Sequence, residues 1–337
     1  MLTKTLFVAA ALVPLSIDAS AGSDPWVDYP GGEGPGAGKH IVLVSGDEEY
    51  RSEEALPQLG KILSVRHGFR CTVLFAVDPE TGEIDPDNQR NIPGLAMLDD
   101  ADMLVLFTRF RQLPDDDMKH IVDFVESGKP ILGIRTATHA FAYPDDSTSR
   151  YARWRWNDAE WEGGFGKQVL GETWVNHHGH HGVESTRGVV VEAAAKHPIL
   201  RGVDDVWGPT DVYGVRELPP DAIVLLEGAV LSGMSPEDPP VEGEKNTPRE
   251  PLVWLRERQL EGERKQRVVA STIGAATDCA SEGVRRVFVN ACYWGVGLEE
   301  KIPERSDVTI VGEYEPTAFG FGGYVKGVRP ADHALAK

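Results

Sequence analysis

The amino-acid sequence predicts a doubly wound α/β fold with inserted loops. Continuous apolar runs rich in β-branched residues recur from His40 onward, without the polar alternation of half-exposed strands. Such runs are typical of strands buried on both faces of a parallel sheet. Segments with helical periodicity lie between several of the runs, and this order of strands and helices is typical of a doubly wound sheet. One sheet that carries long polar insertions, such as residues 235–251, is simpler than two independent domains.

The first part of this fold contains four predicted strands, at residues 40–45, 71–76, 103–107 and 130–134. Two helices between them have apolar side chains at helical spacing: Leu56, Leu59, Ile62 and Leu63 in the first, and Met118, Ile121, Val122 and Val125 in the second. Pro57 places the start of the first helix near Glu54, because a proline fits in the first turn. The second helix follows three aspartates, which the helix dipole favours, and it ends at Gly128.

The second half of the sequence is less regular. One helix is predicted over residues 281–298, where Val284, Val287, Phe288 and Ala291 share a face and Ser281 can cap the start. Four further strands are predicted, at residues 188–194, 222–228, 251–257 and 267–273.

The N-terminal residues are predicted to be a cleaved signal peptide, residues 1–21. A lysine precedes an apolar run that is too short to span a bilayer, and Ala19 to Ala21 match the small-x-small cleavage pattern. We therefore expect an exported protein, periplasmic or extracellular, with no membrane segment after cleavage. A Gly/Pro-rich linker is predicted at residues 22–38, the α/β domain at 39–328 and a tail at 329–337.

Charge and cysteine content exclude several classes of protein. The chain has 34 basic and 53 acidic residues, a net charge of −19, which argues against binding to nucleic acid or to anionic membranes. The three cysteines are an odd number without a C-x-x-C motif. Cys71 and Cys292 lie in apolar stretches, so we expect buried free thiols rather than a disulfide framework.

Functional residue types follow three of the predicted strands. Asp47, Glu48, Glu49, Tyr50 and Arg51 follow the first strand, Arg109 and Arg111 follow the third, and Arg135, Thr136, Thr138 and His139 follow the fourth. Because ligands bind outside the carboxyl ends of strands in open parallel sheets, we expect these side chains to face one crevice.

Residues 133–137, Gly-Ile-Arg-Thr-Ala, have the small flanking residues of a nucleophile elbow, but Arg135 stands at its tip. A guanidinium cannot attack a carbonyl. Its permanent charge and five donors suit a carboxylate, a polyhydroxylated ligand or an oxyanion. His139 follows four residues later, and on a helix the two would share a face. The helix start would add positive charge there.

Residues 176–182 contain four histidines in five positions. A divalent metal is one interpretation, with His178 and His180 as ligands, although the spacing matches no defined zinc motif. On a strand at most two of the four would face one centre. A catalytic histidine, His177 or His178, is the alternative.

A third polar and aromatic segment, residues 150–166, alternates arginines with Trp154, Trp156 and Trp161. Flat aromatic faces are what sugar rings pack against. The alternative is that the insert packs its own tryptophans over the sheet.

Several of these stretches, taken in order, resemble the ThuA-like (trehalose utilisation) family: "GIRTATHAF", "NHHGHHG", "KHPILRGV", "TDVYGV" and "RRVFVNACYWGVGLEEKIP". The closing "YEPTAFGFGGYVKGV" resembles an exported subgroup found in planctomycete-type bacteria. The resemblance implies a flavodoxin-like three-layer sandwich of the class I glutamine amidotransferase-like type, and a role in sugar catabolism. It also implies that Asp211 and Tyr213 line the crevice. Amidotransferases have a cysteine at position 135 and ThuA-like proteins commonly a histidine, so Arg135 departs from both.

The sequence thus favours an exported carbohydrate enzyme, a hydrolase, isomerase or lyase but not an amidotransferase, that acts on a glycoside or keto-sugar by acid/base chemistry. Its predicted catalytic residues are Arg135, His139, His177, His178 and Glu49, and its predicted ligand-binding residues are Tyr50, Arg109, Trp154, Trp156, Asp211 and Tyr213. Two alternatives remain: a sugar-binding protein without turnover, and a metal-dependent hydrolase centred on the histidines.

Overall fold

The computed structural model describes residues 24–336, which form one mixed sheet of ten strands. In chain order the strands are β1 (Trp26–Tyr29), β2 (His40–Gly46), β3 (Arg70–Leu74), β4 (Met103–Thr108), β5 (Ile131–Ile134), β6 (Thr186–Val190), β7 (Val206–Gly208), β8 (Ala222–Val230), β9 (Glu250–Gln259) and β10 (Lys265–Ser271). The predicted signal peptide lies outside the described residues. Within residues 24–336, no helix is both long and apolar enough to cross a membrane.

The centre of the sheet consists of five parallel strands in the order β3-β2-β4-β5-β10. Numbered by their succession in the chain, they have the order 2-1-3-4-5 of flavodoxin-like folds. The predicted fold class is therefore confirmed. Four antiparallel strands, in the order β9-β8-β6-β7, extend the sheet beyond β10.

Among residues 24–336, three α-helices cover the sheet: α1 (Ser52–His67), α2 (Asp115–Ser127) and α3 (Glu282–Gly295). Side chains of α1 and α3 share a core with Ile41 and Leu43, while α2 packs with Val42 and Val44 on the opposite face. This alternation gives the three layers of a doubly wound fold. Helix α1 begins before the predicted Glu54, so Pro57 lies in its second turn and not in its first.

The segments predicted as linker and tail both contribute to the fold. Residues 26–29, within the predicted linker, form the edge strand β1, which pairs antiparallel with β3. Tyr29 is fully buried there, and its hydroxyl donates to the main-chain oxygen of His333 at 2.9 Å. The His333 ring stacks on Phe75 at 5.4 Å. Tyr29 and His333 each give their segment apolar area to bury. The favourable free energy of this burial outweighs the local turn signals.

Candidate functional site

The loops that follow β2, β4 and β5 meet at the carboxyl edge of the sheet, where the strand order reverses between β2 and β4. Thr136 donates from its hydroxyl to Asp47 at 2.5 Å, which joins the first loop to the third. The main-chain N–H of Phe110 donates to the carbonyl of His139 at 2.9 Å, which joins the second to the third. The predicted convergence of three strand ends is therefore confirmed.

The elbow after β5 is a sharp turn, because Arg135 has a φ of 44°, in the left-handed region that residues with a side chain rarely adopt. Residues Arg135–His139 then form a short 3-10 turn and not the expected start of an α-helix. The prediction that an α-helix begins here and adds the positive end of its dipole to the site is therefore wrong.

Arg135 is fully buried, and its guanidinium is occupied by the protein itself. It donates to the carboxylate of Asp211 at 3.0 Å, to the main-chain oxygen of Asp211 at 3.1 Å and to that of Thr272 at 2.5 Å. The rings of Tyr50 and Tyr213 pack against the guanidinium, with their centres 4.2 and 4.1 Å from its carbon atom. The expectation that Arg135 touches a ligand is corrected: it positions Asp211.

Asp211 is the centre of the site. It is buried, and its carboxylate oxygens lie 2.7 Å from Nδ1 of His177 and 3.2 Å from Nδ1 of His181. Burial alone would raise the pKa of Asp211, but hydrogen bonds from both histidines and the charge of Arg135 outweigh it and hold the pKa well below its ordinary value. Because an ionised carboxylate only accepts, Nδ1 of each ring carries the proton. In neutral His177 this leaves Nε2 with a free lone pair.

His181 completes this arrangement, although the sequence argument had not singled it out. Its hydrogen bond to Asp211 raises its pKa; burial opposes the shift, and the charges of Asp211 and Glu49 add to it. Nε2 of His181 lies 3.6 Å from the carboxylate of Glu49. Alternating strand faces do not predict His181 because residues 176–182 form a loop. The spacing of four residues between His177 and His181, with Gly179 between them, was the available signal.

The other two histidines of this loop do not join the cluster. His178 donates from Nε2 to the carbonyl of Lys245 at 2.8 Å, and its Nδ1 is 3.7 Å from Glu250. The main-chain N–H of His180 donates to Glu184 at 2.7 Å. Within residues 24–336, the group able to hold a metal consists of His177, His181 and Asp211, whose ligand atoms all lie within 4.8 Å of one another. The structure thus separates the predicted ligand pair of His178 and His180.

Glu49 and Arg109 form the charged floor beside His181. The Nε atom of Arg109 is 3.3 Å from Glu49, and its Nη1 donates to Glu48 at 2.5 Å. Burial raises the pKa of the Glu49 carboxyl, while the charge of Arg109 opposes this shift. Both predicted residues are therefore at the site, and each has a charged partner.

His139 lies below the crevice as a buried, neutral ring. Burial, together with the charges of Arg109 and Arg135, holds its pKa well below the ordinary value. It packs between Phe110 at 5.0 Å and Trp174 at 5.7 Å. The predicted role in proton transfer does not fit a ring that is 3% exposed.

Aromatic side chains wall the two histidines on one side. The ring centre of Trp174 lies 5.8 Å from that of His177 and 6.0 Å from that of Trp156. Trp156 thus packs against Trp174, which the sequence does not predict as a site residue. Trp154 is corrected to a core residue: it is 3% exposed and packs against Phe165 at 5.9 Å.

The opposite wall comes from residues 314–324, which we call the C-terminal strap. The ring centre of Phe319 lies 5.3 Å from that of His181 and 5.8 Å from that of Tyr50. The strap is fixed from below, since Arg51 donates to the carbonyl of Gly320 at 2.6 Å and the N–H of Gly320 donates to the carbonyl of Glu49 at 2.7 Å. No local pattern in the sequence predicts this wall, because its contacts join residues that are remote along the chain.

The chain is similar in fold to several solved structures. No protein-family model matches it, and no curated protein matches it. Its structural neighbours include ThuA-like proteins. One, a putative ThuA-like protein from Bacteroides uniformis, is 15% identical with a TM-score of 0.48, over 79% of this chain and 95% of that one. Another, from Parabacteroides merdae, is 12% identical with a TM-score of 0.48, over 84% and 97%.

A further neighbour is the glutaminase domain of Trypanosoma brucei CTPS with bound acivicin, at 10% identity and a TM-score of 0.39, over 80% of this chain and 98% of that one. Both kinds of neighbour match the resemblance that the sequence predicts. At these identities the likeness concerns the fold alone.

Proposed function

We propose that this protein is a carbohydrate-processing enzyme that works by acid/base chemistry without a covalent nucleophile. The observation that carries this proposal is the Asp211 carboxylate, which is buried, ionised and bound by two histidines. A carboxylate that orients an imidazole is the arrangement that general bases use. The predicted signal peptide would place the reaction outside the cytoplasm.

The two histidines have different environments, which assigns them different roles. His177 is hydrogen-bonded through Nδ1, its side chain is 34% exposed, and its Nε2 has no partner among residues 24–336. It therefore acts as the base that removes a proton from substrate or water. His181 lies between two carboxylates that favour its charged form, so it acts as the acid. The free Nε2 of His177 and the two carboxylates around His181 are the features that separate the two roles.

The side chains around the histidine pair have the chemistry that binds a sugar ring. Trp174 and Phe319 stand on either side of the histidine pair, 5.8 Å from His177 and 5.3 Å from His181. Aromatic faces pack against the C–H faces of sugars, while the polar groups between them can bind hydroxyls. Glu49 adds an acceptor beside His181.

Turnover of a panel of glycosides and their keto forms tests this proposal. We expect bond cleavage or isomerisation of at least one member by the untagged protein, measured by chromatography of the products. Binding of a member by calorimetry without any turnover would instead support a sugar-binding protein. The absence of both binding and turnover for every member of the panel would contradict a carbohydrate function.

A second candidate, a metal-dependent hydrolase, is favoured by one specific observation. The three ligand atoms of His177, His181 and Asp211 lie within 4.8 Å of one another, and two histidines with one carboxylate suit a divalent first-row metal. Arg135 would orient the Asp211 carboxylate from behind, as hydrogen-bonding partners of metal ligands do. Bound there, a metal would supply an activated water molecule.

Metal analysis separates the two candidates. The protein is purified without a His-tag, and its content of zinc, manganese and iron is measured for the wild type, His181→Ala and His180→Ala. A stoichiometric metal that His181→Ala loses and His180→Ala retains would support the hydrolase. Turnover by protein free of metal and unaffected by chelators would support acid/base chemistry by the histidines themselves.

A further inference from the structure

Phe321 is an aromatic side chain that the fold holds in solvent. It is 65% exposed, although its neighbour Phe319 packs against the site. The backbone on either side requires glycine, with φ of 131° at Gly320 and 67° at Gly322. Gly320 is bound through both its N–H and its carbonyl, so Phe321 projects from a fixed part of the C-terminal strap.

The position of Phe321 is continuous with the candidate site. The guanidinium carbon of Arg109 lies 4.9 Å from the centre of the Phe321 ring and 4.5 Å from that of Phe110. The same guanidinium pairs with Glu49, which lies beside His181. A chain of contacts therefore runs from His181 through Glu49 and Arg109 to Phe321.

We propose that Phe321 forms an outer subsite, which binds a second sugar ring linked to the ring that reacts at His177 and His181. This inference rests on the proposed function. With Arg109 against the ring, the rest of the Phe321 surface is available to stack on a sugar. Arg109 contacts both Phe321 and Glu49, and its guanidinium can donate to a hydroxyl group of the bound sugar. The substrate class is then a glycoside of at least two sugar units.

The test compares substrates of one and two rings: methyl α-glucoside with maltose, and methyl β-glucoside with cellobiose, each also in its keto form. The variants are Phe321→Ala, Phe321→Trp and the control Val325→Ala, since Val325 is 52% exposed just beyond the strap. We expect Phe321→Ala to raise KM or Kd for the disaccharide about 3- to 10-fold, the range of one aromatic contact. The methyl glycoside and kcat should not change. Phe321→Trp should retain disaccharide affinity, and Val325→Ala should behave like the wild type.

Two results would overturn the subsite: equal changes for one-ring and two-ring ligands, or no change with either. Calorimetric binding separates this inference from the proposed function. If Phe321→Ala binds disaccharides more weakly than the wild type does, but the wild type turns over none of them, the outer subsite stands and the enzymatic proposal fails. If turnover occurs and Phe321→Ala has no effect on any ligand, the enzyme stands and the subsite fails.

Discussion

Arg135 holds Asp211 by two contacts, one to its carboxylate at 3.0 Å and one to its main-chain oxygen at 3.1 Å. Both side chains are fully buried, and the guanidinium of Arg135 is not exposed to a substrate. Other α/β enzymes present a nucleophile at such an elbow. Here the elbow directs the guanidinium of Arg135 into the interior of the protein. That cation fixes the carboxylate that orients the two histidines.

Loss of this cation should destabilise the fold. In Arg135→Met, the buried Asp211 carboxylate keeps its charge but loses the guanidinium that pairs with it, which costs about 3–5 kcal/mol of unfolding free energy. Denaturant unfolding followed by circular dichroism measures the change. Arg305→Met is the control, because Arg305 forms exposed pairs with Asp204 and Glu282 and should lose about 1 kcal/mol or less. Equal losses for the two variants would show that Arg135 is not a structural anchor.

The three cysteines should be unreactive in the folded protein. Cys71, Cys279 and Cys292 are all buried and free, and burial raises the pKa of each thiol above its ordinary value. A thiol reagent should therefore label none of them until the protein is unfolded, when three should react. Cys292→Ala should retain any measured activity. Rapid labelling of the native protein, with loss of that activity, would restore a thiol to the mechanism.

The pH profile of turnover should depend on Glu49. His181 must be protonated to act as the acid, and its pKa is raised above the ordinary 6.5, so activity should persist above pH 6.5 and fall as the pH passes the raised value. Glu49→Gln removes one of the charges that raise this pKa and should move the alkaline limb to lower pH. Glu250→Gln is the control, since Glu250 lies beside His178 instead. An unchanged alkaline limb in Glu49→Gln would remove His181 from the role of acid.

Stability should fall with rising pH because of Glu53. Its two carboxylate oxygens are buried without a hydrogen-bond partner, and burial raises its pKa from 4.5 to about 8. The folded state therefore binds more protons than the unfolded state between these values, so its contribution to stability is lost as pH rises through them. Each unit of pKa difference is worth about 1.4 kcal/mol.

Glu53→Gln keeps the neutral shape and should be more stable than the wild type at pH 8 but not at pH 4. Thermal unfolding at both values measures this difference. A variant that is less stable at pH 8 would show that the Glu53 carboxylate has a charged partner in solution.

The sequence predicts the parallel core because buried strands have a local signature, and it predicts the loops after β2, β4 and β5 because each follows its strand directly. Contacts between remote residues have no such signature. Arg135 and Asp211 are 76 positions apart, and nothing in the pattern around Arg135 shows that it points inward. Trp154 and Trp156 look equivalent in the sequence, and only packing makes the first a core residue and the second a site residue. Asp211 itself came from the family resemblance.

The role of His177 as a base oriented by Asp211 is tested by kcat of His177→Gln against that of His178→Gln, on whichever glycoside the wild type turns over. These adjacent histidines differ in one respect that matters here: His177 is bound to Asp211, and His178 to the carbonyl of Lys245. Glutamine can hydrogen-bond but cannot accept a proton near neutral pH. We predict that His177→Gln lowers kcat by about 10²–10⁴-fold while His178→Gln changes it by less than about threefold. Equal kcat values for the two variants would contradict a base oriented by Asp211.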